Sequence, residues 1–164
     1  YIRQLDDDDL YWRLLPFVAQ AVGLSVEAMA ARPELRPAVP LIKERIKTLA
    51  EAAPMLDFFF VDGLLDLRNP QELVGEKMTA AQSAEALRRS AAALAALPDF
   101  DRDSIEASLR ALSDEMGLKI RQLLHVVRVA VTGTKVSPPL FEAIAILGRE
   151  RTLARLAAGA EALE

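Results

Sequence analysis

The sequence predicts an all-α fold made of two small helical subdomains packed together. Alanine and leucine dominate the periodic stretches, runs of β-branched residues are short, and no apolar alternation with a period of two persists. With 164 residues, 52% of them apolar, the chain can bury a core of this size. The least regular segment covers residues 54–70, with turn signals at Asp-Gly and Asn-Pro pairs. We therefore expect one subdomain over 1–65 and the other over 66–164.

Helix-end signals place the elements of the first half. The aspartates at 6–9 mark the start of a helix that runs to about Val22, because carboxylates are favourable at a helix N-terminus. Pro16 predicts a kink or break within that helix. A short helix is expected after Ser25, and a longer one over 38–53, where apolar side chains recur with helical spacing.

The second half carries similar signals. Thr79 and Gln82 have capping-box spacing before an alanine-rich helix, and Asp103 and Glu106 repeat a similar arrangement before a helix closed by Gly117. Three more helices are expected: Ile120 to Thr132 with Gly133 at its end, one that starts at Ser137-Pro138 as N-cap and first position, and Arg149 to Leu163. Trp12 and the phenylalanines at 58–60 are most simply core residues.

Composition argues against a catalytic chain. There is no cysteine and only one histidine, which excludes disulfides, thiol nucleophiles and histidine-rich metal sites. No phosphate-binding glycine loop is present, and no apolar run approaches the roughly 20 residues that cross a bilayer. The chain starts at Tyr1 without an initiator methionine and so resembles a piece of a longer protein. We predict a non-catalytic, cytoplasmic chain without a cofactor or metal of its own.

Charge is divided unevenly along the chain. The net charge is −4, but residues 1–116 hold 13 basic and 20 acidic side chains, whereas residues 117–155 hold seven basic and two acidic ones. Between Glu115 and Glu142 there is no acidic residue at all. Any affinity for a polyanion is therefore expected in the second half.

The most informative cluster lies in that basic stretch. Arg121, His125 and Arg128 are spaced i, i+4, i+7, so they lie along one face of one helix, with Lys135 in the turn that follows. Phosphates favour cationic side chains together with exposed helix-start N–H groups, and guanidinium groups pair with or stack on unpaired bases. From spacing alone a solvated face is the more ordinary reading, although such faces usually mix both signs of charge.

Other basic residues are less informative. Lys43, Arg45 and Lys47 form a smaller patch whose simplest role is solubility. Arg149, Arg151 and Arg155 are expected to be charges on a helix surface.

Three segments carry a resemblance to a known family. Residues 128–133 (RVAVTG), 137–142 (SPPLFE) and 147–156 (LGRERTLARL) closely resemble the C-terminal signature of bacterial glutamyl-tRNA synthetases. Residues 1–3 (YIR) and 45–49 (RIKTL) are similar to earlier segments of the same region. The resemblance covers the whole chain and is loosest between Gly63 and Gly117.

The resemblance implies the chain's partners. Such a synthetase activates glutamate with ATP and Mg²⁺ in its catalytic domain and esterifies it to tRNA-Glu, while its helical C-terminal domains reach the anticodon loop. This chain would then be continuous with a catalytic domain, bind no DNA or membrane, and act as a monomer in the cytoplasm. A helical module that holds a partner protein in an apolar groove is the alternative.

The resemblance also assigns roles to residues. Arg45 matches the arginine that reads the third anticodon base, and Arg128 matches a second arginine that contacts the anticodon. Anticodon contacts also carry over to Ser137, Pro138 and Leu140. Members with glutamine at the Arg45 position accept both glutamate and glutamine tRNAs, so Arg45 marks a discriminating enzyme on this hypothesis.

Two positions depart from the family's pattern. Val126 stands where members often have proline, and His125 stands where glutamine is expected. The helix can therefore enter its terminal turn differently from that of the family.

Overall fold

The computed structural model describes residues 1–67 and 69–164. These residues form α-helices and short 3₁₀ turns without a strand, so the all-α prediction is confirmed. The α-helices are α1 (Asp7–Val22), α2 (Val26–Ala30), α3 (Leu35–Ile42), α4 (Ala52–Leu56), α5 (Ala80–Ala95), α6 (Arg102–Met116), α7 (Ile120–Thr132), α8 (Leu140–Leu147) and α9 (Arg149–Ala162). The 3₁₀ turns are Ile2–Gln4, Leu49–Glu51, Asp57–Phe60 and Pro70–Leu73.

The chain folds into two compact units. The first unit comprises Tyr1–Val61 and the short segment Val136–Pro139. The second unit comprises Asp62–Lys135 and Leu140–Glu164. The first unit is thus discontinuous in sequence, a feature that the boundary expected between residues 65 and 66 did not include.

Helix α1 organises the first unit. It begins at Asp6, whose carboxylate accepts the Asp9 N–H at 2.7 Å, and it ends at Gly23, where φ is 78° and glycine is favoured. Helices α2, α3 and α4 all pack against it. Its buried stripe has fully covered side chains, among them Leu10, Leu14 and Val18. Both helix ends were predicted from the sequence.

Proline does not break α1. The helix runs continuously through Pro16, so a break at this position is wrong, and the alternative of a kink stays a prediction. Proline has no N–H for the carbonyl of Trp12, but both residues lie on the outer side of the helix, where water can bind that carbonyl. Trp12 is 56% exposed, so its assignment to the core is also wrong. The core prediction is confirmed for Phe58 and Phe59, which are 1% and 0% exposed.

The helix expected over residues 38–53 is two helices. Helix α3 ends at Ile42, and α4 begins only at Ala52. Pro40 removes one backbone hydrogen bond from a helix of only eight residues. Beyond its end, the Glu51 carboxylate accepts the Lys47 N–H at 2.7 Å, so this backbone donor is satisfied outside a helix.

The second unit is built around the pair α5 and α9, with α6, α7 and α8 packed on them. Gly159 allows a close approach, since a Cβ atom there would lie 3.1 Å from Leu87 Cδ1 and 3.2 Å from Ala130 Cβ. The predicted capping box of Thr79 and Gln82 is present. Across the described residues, every helix is too short or too polar to span a lipid bilayer.

Two predicted helix starts in this half are wrong. The cap of α6 is Asp101, which accepts the Ser104 N–H at 2.8 Å, and Asp103 lies inside the helix. Helix α8 starts at Leu140 and not at Ser137-Pro138. Pro139 disfavours helical geometry in the residue before it, so the helix begins only after the second proline.

Arg155 is buried inside the second unit. It is 1% exposed, so its assignment as a surface charge is wrong. It shares the inner stripe of α9 with Thr152, Leu156 and Gly159, and its guanidinium donates a hydrogen bond to the Val131 carbonyl at 2.9 Å. Burial, reinforced by the nearby charge of Arg151, lowers the pKa of Arg155 to about 10, so the side chain is still charged at neutral pH.

Replacing Arg155 with alanine should therefore destabilise the second unit. The change leaves a cavity and removes the donor to a carbonyl in the last turn of α7, and we expect a loss of about 2–4 kcal/mol in the free energy of unfolding. Urea denaturation followed by circular dichroism measures it. Arg149→Ala on the same helix is the control, with an expected loss of at most about 1 kcal/mol. Equal losses for both variants would contradict a special role for Arg155.

Candidate nucleic-acid interface

Arg45 lies in a turn that directly follows α3. Its N–H donates to the Ile42 carbonyl at 2.8 Å, and the N–H of Ile46 donates to the same oxygen at 3.2 Å. Ile46 is 2% exposed and anchors the turn in the core, whereas the Arg45 side chain is exposed. Residues 43–47 are called the Arg45 turn below.

Charged neighbours hold the Arg45 turn from both sides. Lys43 pairs with Asp7 of α1 at 3.5 Å. Arg3 contacts Glu44 twice. Its Nε lies 3.2 Å from the Glu44 carboxylate, and its Nη2 donates to the Glu44 backbone carbonyl, also at 3.2 Å. Each pair is partly exposed and is worth little. The backbone of the turn is held mainly by buried Ile46 and by the two hydrogen bonds to the Ile42 carbonyl.

Two cationic side chains of the turn, Arg45 and Lys47, are available to a ligand. The side chains of Arg45 and Lys47 make no hydrogen bond or ion pair with any residue in 1–67 or 69–164. Both side chains are exposed. The turn therefore presents two cations on a fixed backbone, which suits an anionic or hydrogen-bond-accepting partner.

The predicted basic face of α7 is present but less basic than expected. Arg121 is exposed and His125 is half-buried, and both line a cleft of about 370 Å³ together with Val74 and Glu76. His125 Nε2 lies 3.1 Å from the Glu72 carbonyl, so this nitrogen carries the proton and donates. The sequence conceals these neighbours, because Glu72, which supplies its backbone carbonyl, and Glu76, which lines the cleft, lie about 50 residues before the histidine.

Arg128 lies one turn before the end of α7 and is half-buried. Its carbonyl accepts a hydrogen bond from the Thr132 hydroxyl at 2.7 Å, and that hydroxyl also accepts the Thr134 N–H at 3.3 Å. Gly133 closes the helix with φ at 77°. This turn sets the direction of the chain after Arg128 and leaves Lys135 exposed.

Three predicted contact residues are covered in the structure. Ser137 is 5% exposed, Leu140 is 3% exposed and Pro138 is also buried. The Ser137 hydroxyl donates to the Pro138 carbonyl at 2.8 Å instead of capping a helix. These side chains shape the local backbone, and the cations at 45, 121, 128 and 135 offer the accessible charge.

Comparison with known sequences identifies the family. The sequence model described as "Anticodon binding domain" matches residues 9–160, which is most of the chain. This chain belongs to the anticodon-binding domain family. The match favours an RNA loop over a partner protein as the ligand of the basic side chains.

The relatives of this anticodon-binding domain are glutamate–tRNA ligases. It is 44% identical to the enzyme of Roseiflexus sp. (strain RS-1) over 99% of the chain and 32% of that enzyme. It is 40% identical to the enzyme of Chloroflexus aurantiacus over 100% of this chain and 33% of that enzyme. The chain thus spans about a third of the length of these relatives.

Solved structures support the fold. A glutamate tRNA ligase from Elizabethkingia meningosepticum superposes on this chain with a TM-score of 0.76 at 18% sequence identity. The match covers all of this chain and 31% of the ligase chain. A glutamate-tRNA synthetase from Elizabethkingia anophelis gives 0.73 at 17% identity, over 98% of this chain.

The role of Arg45 as a presented side chain can be tested on stability. Arg45→Ala should change the free energy of unfolding by less than about 0.5 kcal/mol, because the side chain is exposed and makes no polar contact within the described residues. Ile46→Ala, one residue later, should cost about 2–4 kcal/mol because its side chain is buried. Urea titrations of both variants measure these changes. A large loss of unfolding free energy in Arg45→Ala would mean that the arginine is structural.

Proposed function

We propose that this anticodon-binding domain reads the anticodon loop of tRNA-Glu, with Arg45 as the residue that contacts the third anticodon base. The observation that carries the proposal is the Arg45 turn, whose backbone is fixed by its neighbours while the arginine has no partner within the described residues. A guanidinium group on a fixed backbone can donate two hydrogen bonds to one base edge with little loss of entropy.

The second unit supplies further contacts. Arg121 and Lys135 are exposed and Arg128 is half-buried on α7 and the turn after it, and these cations are suited to the phosphates and exposed bases of a single-stranded loop. His125 would contribute less, because its Nε2 proton is already engaged by the Glu72 carbonyl. Ser137, Pro138 and Leu140 would act through the backbone they shape, since their side chains are buried.

The excess of acidic residues elsewhere on the chain fits this role. A net charge of −4 weakens the non-specific attraction to other RNA, so that affinity depends on the few cations aimed at the loop. The proposed specificity then comes from contacts with bases, and the phosphate contacts set the position of the RNA.

The whole protein would be a glutamate–tRNA ligase that joins glutamate to tRNA-Glu with ATP and Mg²⁺. That chemistry belongs to the two thirds of the relatives' length that this chain does not span. A cytoplasmic monomer remains our expectation for the whole protein.

The proposal is tested by the binding of this chain to tRNA-Glu transcripts that differ only in the third anticodon base. The wild-type chain should favour the native transcript by about five- to a hundredfold, the range expected for one arginine–base contact. Arg45→Gln should bring the ratio of the two dissociation constants close to one.

Arg36→Gln is the matched control, because Arg36 is an exposed arginine of the same unit that pairs with Asp8. It should leave the ratio unchanged. A wild-type chain that binds neither transcript, or an Arg45→Gln variant with the wild-type ratio, would contradict the proposal.

A further inference from the structure

A tight turn over residues 75–78, called the Lys77 turn below, lies just before α5 in the second unit. The Met78 N–H donates to the Gly75 carbonyl at 3.1 Å and closes a four-residue β-turn. Lys77 is its third residue and has φ at 59°, the one positive φ among the non-glycine residues in 1–67 and 69–164. Glycine normally stands at this position of such a turn, because a Cβ atom is unfavourable in the left-handed region.

Contacts on two sides keep the Lys77 turn in this conformation. The Gly75 N–H donates to the hydroxyl of buried Ser83 at 3.0 Å. The side-chain amide of Gln122, in the first turn of α7, donates to the Glu76 carbonyl at 2.7 Å. A strained backbone persists only where its surroundings determine it, and these hydrogen bonds supply that constraint.

The Lys77 side chain takes no part in these contacts. It is exposed and makes no hydrogen bond or ion pair with any residue in 1–67 or 69–164. Folding alone would therefore favour glycine at this position. What the lysine adds is a positive charge on a backbone that is held in place.

The same glutamine joins the Lys77 turn to the start of α7, where two more cations lie. Its Oε1 accepts the Lys119 N–H at 2.9 Å while its Nε2 binds the Glu76 carbonyl, so one amide links the two backbones. Arg121 lines a cleft together with Glu76 but forms no ion pair with it. Lys119 and Arg121 are both exposed, and neither has an ion-pair partner within the described residues. Three available cations are thus gathered at this end of the helix.

The position of these cations on α7 favours RNA as their partner. Arg121 and Arg128 lie on one face of the helix, about 10 Å apart along its axis at 1.5 Å per residue. An RNA strand that contacts Arg128 and follows this face therefore reaches Arg121 and then the Lys77 turn. Two of the three cations are lysines, which suit phosphates better than base edges.

We propose that Lys77, Lys119 and Arg121 form a phosphate-contact surface for the RNA strand that leads away from the anticodon loop. This inference rests on the proposed function, because it takes tRNA-Glu as the ligand. It adds two lysines to the RNA contacts and explains the strained turn, since the charge of Lys77 raises RNA affinity at a cost in stability. Phosphate contacts carry no base preference, so the surface adds affinity without changing the choice of anticodon base.

Lys77→Gly tests the proposal, because stability and affinity should change in opposite directions. The urea midpoint of unfolding should rise, since relief of the strain at a positive φ outweighs the greater freedom of glycine in the unfolded chain. Binding to tRNA-Glu transcripts at several salt concentrations should show a slope of log K against log salt that is lower by about 0.7–0.9, the value for one phosphate. Lys77→Arg should keep the wild-type slope.

Two further variants and a control complete the test. Lys119→Ala and Arg121→Gln should each lower the slope by a similar amount. Arg110→Gln is the matched control, because Arg110 is an exposed arginine of the same unit that pairs with Glu106 at 2.8 Å. It should keep the wild-type slope.

The third anticodon base separates this inference from the proposed function. Lys77→Gly should weaken binding to the native and altered transcripts equally, so that the ratio of dissociation constants stays at its wild-type value. A wild-type slope for Lys77→Gly would overturn the phosphate-contact surface, leave these cations to an acidic protein partner and leave anticodon reading intact. A wild-type chain without RNA affinity would overturn both.

Discussion

Short helices that depend on packing are the constraint from which the rest of the structure follows. Helices α2, α3, α4 and α8 have five to eight residues and are too short to be stable in water alone. In the first unit the long α1 gives three of them a surface to pack against. Burial of their apolar faces, and not intrinsic helix propensity, therefore keeps each of them folded. The segments between them can take irregular conformations.

The Arg45 turn is one of those irregular segments, and its charges explain how it stays defined. Buried Ile46 anchors it in the core, and the ion pairs with Asp7 and Arg3 add weaker contacts on its solvent side. Acidic residues that look like simple solubilising charge in the sequence therefore serve as partners for structural cations. A small number of cations are not paired with acidic residues in this way. A chain of net negative charge can therefore still offer a positive site.

The sequence predicts the fold class and the helix ends that depend on local chemistry. The helix starts near Asp6 and after Ser25, and the helix ends near Val22, Gly117 and Gly133, follow from hydrogen bonds and dihedral angles within a few residues. It fails where distant residues decide, as at Pro16, where solvent exposure permits a continuous helix, and at Arg155, where an inward stripe overrides the preference of charge for water.

The candidate site shows the same division. Spacing alone brings Arg121, His125 and Arg128 onto one helix, but not the Glu76 beside them, since that contact depends on tertiary structure. Arg45 stands out in the sequence only through the family resemblance. The ion pairs of Lys43 and Glu44, which leave Arg45 and Lys47 as the available cations, are made with Asp7 and Arg3. These partners precede the turn by 36 and 41 positions in the sequence. No local pattern could reveal them.

The exposure of Trp12 has a consequence for spectroscopy. It is the one tryptophan of the chain, and its indole is already mostly in water on the outer side of α1. Its fluorescence emission is therefore expected to change little when the core of the first unit is lost. The same indole is instead open to collisional quenchers, so it serves as a reporter of whatever covers that side of the first helix.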